Sequence, residues 1–172
     1  MIPAGAKPVE DALFVQVQRF LFREAGLLDR RDYAGWLAIT TPDIRYRIMA
    51  AVARDAGLPA VEYAIVDSDA TGLKSRIDQI SNPKLTRAEN PPSMMRRAVT
   101  NIEAFHGPAP KEMLVTSYLL AYRARPHLPE GGFYVASRED VLRNEDSGWR
   151  IARRDVRLDQ TVLFDGALSS LL

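Results

Sequence analysis

Apolar residues recur at three- and four-residue spacing through Leu13, Phe14, Val17, Phe20, Leu21, Ala25 and Leu28, which predicts a helix with one buried stripe. Pro8 suits the first turn of that helix, where a missing N–H costs nothing, and Glu10 and Asp11 complement its positive end. Gly26 weakens the helix by roughly 1 kcal/mol relative to alanine, which predicts a bend or break beside it. A second short helix, Asp32 to Ile39, presents Tyr33, Trp36 and Leu37. Thr41-Pro42-Asp43 ends it and opens an alternating run, Ile44 to Ile48, that reads as a strand. From Ala53 to Val66 the pattern is mixed, with Gly57 and Pro59 interrupting any period. A third helix fits Ala70 to Ile80, with Leu73, Ile77 and Ile80 on one side and Asn82-Pro83 as its stop.

Beyond an irregular connection at Thr86 to Pro92, the period changes. Met95 to Phe105, Glu112 to Arg125, Gly132 to Arg143 and Gly148 to Leu163 are strand-like runs separated by segments rich in glycine, proline, asparagine and serine. They are far longer than the usual strand of ~5–6 residues, and long strands bend through bulges. Helices first and then an antiparallel meander predict an α+β fold, a curved sheet with about three helices across its mouth. Closed in this way the sheet becomes a cone with an interior. Residues 1–172 read as one domain, with residues 1–7 as a loose N-terminal arm.

Composition narrows the chemistry. The chain has 172 residues, 47% of them hydrophobic, enough for a single domain with its own core. It contains no cysteine, so disulfides, thiolate nucleophiles, zinc–thiolate sites and iron–sulfur ligation by its own residues are excluded. A net charge of +1 with mixed signs and no basic tract argues against nucleic acid. The opening MIPAGAKPVEDALF has no signal-peptide core, and no run approaches ~18 apolar residues, so a soluble cytoplasmic protein without a membrane partner is expected. Of the two histidines, His106 and His127 stand at opposite ends of the Glu112–Arg125 run. That run spans on the order of 40 Å at ~3.3 Å per residue, too far for both to ligate one metal.

Three patterns remain as candidate sites. Asp43, Tyr46, His106, Asp155 and Asp159 are titratable groups near strand ends or inside the cone, as an isomerase or dehydratase would need. Strand-surface residues paired with the many nearby arginines are the leading reading of the same groups, since spacing alone does not make them converge. Second, Arg96, Arg97, Arg150, Arg153, Arg154 and Arg157 crowd the first and last runs of the meander, with Glu103, Glu139, Asp140 and Asp155 as partners. Arginine enrichment beside Trp149 also suits an interface, which makes Arg96, Arg97, Trp149, Arg153 and Arg154 interface candidates. Third, Phe164, Leu168, Leu171 and Leu172 belong to an apolar tail with no charge after Asp165, expected to dock on the core or on another subunit.

Over nearly its whole length the chain resembles the β (small) subunit of Rieske-type aromatic-ring-hydroxylating dioxygenases. The stretches that carry the resemblance are FLFREAGLLDRRDYAGWLAITTPDIRY (Phe20 to Tyr46), AENPPSMMRRAVTNI (Ala88 to Ile102), YVASREDVLR (Tyr134 to Arg143) and GWRIARRDVRLDQTVL (Gly148 to Leu163), in that order and spacing. The resemblance implies the cone fold shared with nuclear transport factor two and scytalone dehydratase. It implies a complex of three α and three β subunits, with the Rieske [2Fe-2S] cluster, mononuclear iron and substrate pocket on the large α subunit. Electrons would come from NAD(P)H through a reductase and ferredoxin, and aromatic hydrocarbons would leave as cis-dihydrodiols. No cofactor, metal or catalytic residue is expected on this chain, whose role would be structural. The alternatives are a stand-alone isomerase or dehydratase, and a small-molecule binding or dimerisation module.

Overall fold

In a computed structural model the chain is described at residues 5–52, 61–82, 84–86, 89–126, 130–146, 148–160, 163 and 168–172. Helix α1, Asp11–Asp29, buries Val17, Phe20, Leu21, Ala25 and Leu28 of the predicted stripe, together with Leu27 and one charge, Glu24, which lay outside it. Pro8 is not in its first turn; it forms an isolated antiparallel bridge with Phe105. Around it, the Val9 N–H donates to Ala104 and the His106 N–H to Lys7, which ties residues 7–9 to the sheet.

Gly26 does not break α1, which continues to Asp29. The stop lies at Arg31, which takes a left-handed φ of 59°. The Arg31 N–H donates to Leu28 O and the Asp32 N–H to Leu27 O, the paired bonds that close a helix C-terminus, usually around glycine. Arginine is held there by its side chain, which pairs with Glu89 at 2.9 Å and donates to Ile80 O at 3.0 Å. Asp32 then caps helix α2, Tyr33–Leu37, by accepting from the Gly35 N–H at 2.9 Å. A Cβ on Gly35 would stand 2.5 Å from the Asp32 carboxylate, so a larger residue there would displace the capping group.

Strand β1, Thr40–Val52, is longer than predicted and contains Pro42. Proline is tolerated because the pairing with the neighbouring strand shifts register between Thr40 and Arg45, and the other neighbour pairs only from Tyr46 onward. Strand β2, Val61–Ser68, falls where the sequence reading found no period. It is an edge strand, mostly exposed, so it carries no alternation to read. Helix α3, Ala70–Ser81, is capped by Asp69 and buries Leu73, Ile77 and Ile80 as predicted.

The strands β3 (Met94–His106), β4 (Glu112–Ala124), β5 (Gly132–Glu145) and β6 (Gly148–Leu158) form the predicted meander. The sheet order is β2-β1-β6-β5-β4-β3. It departs from an all-antiparallel sheet at one pair, β1 with β6, which is parallel. Register shifts at Ile48/Met49, Thr100/Glu103 and Val141/Leu142 bend the sheet around the helices. Its concave face carries Ile48, Leu119, Ala121, Tyr134, Ala136 and Val156, all buried with the helix stripes in one core.

Candidate functional site: a filled cone and an open sheet face

The concave face holds charge as well as hydrocarbon. Arg154 on β6 is wholly buried and grips Asp140 on β5 with both branches, 2.8 Å and 2.8 Å. Its third nitrogen donates to Glu24 of α1 at 2.7 Å. Glu24 also accepts from the Trp36 indole N–H at 2.7 Å and faces Arg138 at 3.4 Å. Burial alone would raise the Glu24 carboxyl, but Arg154, Arg138 and the Trp36 N–H outweigh it and hold the group at about 2. Burial works against the charge on Arg154, yet Asp140 and Glu24 raise its pKa. Arg138, buried and beside Arg154, is lowered.

A second buried group lies towards the cone's rim. Arg123 donates to Glu89 at 2.6 Å, to Ser93 Oγ at 2.9 Å, to Ser169 Oγ at 2.6 Å and to Tyr134 OH at 3.2 Å. Burial pushes Glu89 up, but the Ser93 N–H, Arg31, Ser169 and Arg123 bring it below its ordinary value. The two groups are joined by the last residues of the sequence. Leu171 and Leu172 are buried, with Leu168, Ser169 and Ser170 close behind. Tyr46 OH donates to Leu172 O at 3.1 Å and accepts from the Leu172 N–H at 2.9 Å. The interior of the cone is therefore occupied by the chain itself.

The acid–base candidates do not converge there. Of them only Tyr46 lies in the core, and burial raises its pKa. Asp43 is largely exposed and paired with Arg143 at 2.9 Å. His106 stands at the rim, 3.5 Å from Glu10. Asp155 alternates away from Arg154 and lies under Arg47 at 2.6 Å, while Asp159 is exposed at the end of β6. His127 and Phe164 lie outside the described residues. The interface candidates divide in the same way. Arg96 and Arg153 are exposed, and Trp149 lines an open groove beside Arg19, Arg23 and Arg150. Arg97 and Arg154 are corrected, because their side chains pair inside this chain and are not on its surface, and Leu168, Leu171 and Leu172 take the first of the two places expected of the tail, packing on the core and not facing a neighbour.

The surface that sequence reasoning missed is the convex face of β3, β4 and β5. Met94, Tyr118, Leu120, Tyr122 and Phe133 are exposed there, from 40% for Tyr122 to 68% for Met94. Register aligns them in rungs: Arg96 beside Tyr122 beside Phe133, and Ala98 beside Leu120 beside Val135. The Tyr122 and Phe133 rings lie 5.2 Å apart. The signal was present in β4, where Tyr118, Leu120 and Tyr122 alternate with the buried Leu119 and Ala121, so that both faces of one strand are apolar.

Among the described residues no group of three or more histidine, aspartate or glutamate side chains is placed to hold a metal ion. No described helix is long and apolar enough to cross a membrane. The fold is that of a chain of naphthalene 1,2-dioxygenase solved with indole in its active site, with a TM-score of 0.85, 22% identity, and coverage of 95% of this chain and 88% of that one. The β subunit of benzoate 1,2-dioxygenase from Burkholderia mallei ATCC 23344 superposes with a TM-score of 0.69 at 18% identity, covering 94% of this chain and 99% of that one. In sequence, the chain is 29% identical over 171 residues to the β subunit of biphenyl 2,3-dioxygenase from Rhodococcus jostii (strain RHA1), across 94% of this chain and 90% of the relative. The model of the family described as "Ring hydroxylating beta subunit" matches residues 23–165, and the chain belongs to that family of dioxygenase β subunits.

Proposed function

We propose that the chain is the accessory, structural subunit of a multicomponent Rieske non-haem iron dioxygenase that cis-dihydroxylates an aromatic hydrocarbon. In this reading a larger α subunit carries the [2Fe-2S] cluster, the mononuclear iron and the substrate pocket. Three α and three β subunits assemble in the cytoplasm, and a reductase and ferredoxin deliver electrons from NAD(P)H. The observation that supports it is the filled cone. Tyr46, the one acid–base candidate inside, has its hydroxyl committed to Leu172, and no second candidate faces it. The residues of this chain do not fit the iron groups: with no cysteine it cannot supply the thiolates of a Rieske cluster, so no oxidation step runs through it.

The convex face supplies the docking surface for the large subunit. Apolar and aromatic groups with an arginine, Arg96, on the same rung have the composition of an interface centre. A stand-alone isomerase finds no support in this geometry, because its acid and base would have to meet inside the cone. The test is turnover per assembled complex. His106→Ala and Asp43→Asn should each leave it within about two-fold, whereas a loss of ~100-fold with the complex intact would place general acid–base chemistry on this chain.

A further inference from the structure

Residues 168–172, Leu-Ser-Ser-Leu-Leu, lie in the core without belonging to any strand or helix. Their hydrogen bonds to described residues run to side chains from separate elements. Arg76 of α3 donates to Leu168 O, Arg97 of β3 to Leu171 O at 2.7 Å, and Arg154 of β6 approaches Leu172 O at 3.5 Å. Tyr46 of β1 holds both the N–H and the carbonyl of Leu172. Ser169 accepts from Arg123 of β4 and donates to Glu89 at 2.9 Å. Between these polar clamps Leu168, Leu171 and Leu172 join the apolar core.

This is the way a protein grips a foreign peptide rather than the way it extends its own sheet. Side-chain donors fix backbone oxygens at both ends of the segment, and the apolar side chains pack between them. Three of the clamps, Arg97, Arg123 and Arg154, are also anchored by contacts that do not involve the segment. Arg97 pairs with Asp29 at 2.7 Å, Arg123 with Glu89, and Arg154 with Asp140 and Glu24. The receptor side is therefore organised by its own ion pairs.

We infer that the cone is a peptide-binding site, filled in this chain by its own residues Leu168–Leu172 as an intramolecular ligand. Its ligand class is a short peptide without charged side chains whose backbone oxygens meet arginines, with a serine at the position of Ser169 and leucines at those of Leu168, Leu171 and Leu172. The inference concerns the cone alone and stands apart from the docking of the convex face.

The experiment keeps the whole chain. A protease site is inserted after Gly166, the folded protein is cleaved, and the cut sample is passed through size-exclusion chromatography. A fluorescently labelled synthetic peptide, Leu-Ser-Ser-Leu-Leu, is then added. The segment should co-elute with the cut protein, and the labelled peptide should exchange into the site with saturable one-to-one binding. The uncut chain should not take it up. In the cut protein, Arg97→Ala should weaken the labelled peptide at least ~10-fold, the loss expected for a hydrogen bond from a charged donor, and a label carrying alanine for the first serine should also bind more weakly. Loss of the segment from a still folded protein that takes up no peptide would overturn the inference. So would collapse of the cut protein with no rescue by added peptide, since the segment would then be ordinary core and not a ligand.

Discussion

The two faces of one sheet, built from alternate residues of the same strands, each carry groups usually found on the other: buried charges within the apolar core on one side, exposed apolar side chains on the other. The concave face buries Arg123, Arg138, Arg154, Asp140 and, from the helix across it, Glu24. The convex face leaves Met94, Tyr118, Leu120, Tyr122 and Phe133 in contact with solvent. Both additions are unusual in a monomer adapted only to water, since buried charge is costly unless paired and large apolar groups are ordinarily covered. The inner charges are affordable because each finds an opposite charge within hydrogen-bond reach. The outer apolar groups make sense in a chain whose folded surface is completed by another subunit. If the convex face is the docking surface proposed above, stability is concentrated on one face and association on the other, and mutations should separate the two.

The largest effect belongs to the inner face. Arg154→Ala leaves Glu24 and Asp140 buried without their main cation, and should cost about 3–5 kcal/mol of unfolding free energy, read from urea denaturation of the isolated chain. If the loss were below ~1 kcal/mol, water would have to reach the network freely.

Acid should attack the same face, somewhat less severely. The Glu24 carboxyl is held at about 2, against an ordinary 4.5. Its folded pKa is depressed, so its contribution is complete above 4.5 and is lost as the pH falls from there towards 2. The size of that contribution is roughly 3 kcal/mol. Glu24→Gln should destabilise the chain at pH 6 and flatten the fall in stability between pH 4.5 and 2. A variant with the same acid slope as the parent would show that other carboxylates, Glu89 among them, carry the acid sensitivity. The smallest effect belongs to the outer face: Tyr118→Ser should change the isolated chain by less than ~0.5 kcal/mol, as expected for an exposed position.

The same division explains what could be read from sequence. Helices α1 and α3 and the strands of the meander carry regular apolar periods, and their predicted spans agree closely with the structure, except that β6 ends at Leu158 and not at Leu163 and that α1 runs unbroken past Gly26. Strand β2 was invisible because its side chains are mostly exposed and follow no period. Parallel pairing of β1 with β6 has no local signature, because both strands read the same in either direction. The buried charges were the hardest to foresee. Arg138, Asp140 and Arg154 alternate along β5 and β6 as solvated residues do, and Glu24 sits on an otherwise apolar stripe. Only the fold brings Glu24 to Arg154 across a separation of 130 residues. Arginine enrichment therefore pointed to an interface when part of it was core. The exposed aromatics of β4 were legible as a strand, but their face is assigned only once α1 covers the opposite one.

Co-purification with the large subunit after a charge is placed at the centre of the convex face tests the central claim most directly. Leu120→Asp combined with Tyr122→Asp should leave the isolated chain folded, with a thermal midpoint close to that of the parent. It should weaken its complex with the co-expressed large subunit by at least ~30-fold, a loss of 2 kcal/mol or more of the kind seen at interface centres. Elution of the large subunit free of this chain is the predicted result. A complex of unchanged size and stability would contradict the account, because the exposed apolar face would then be no part of the assembly.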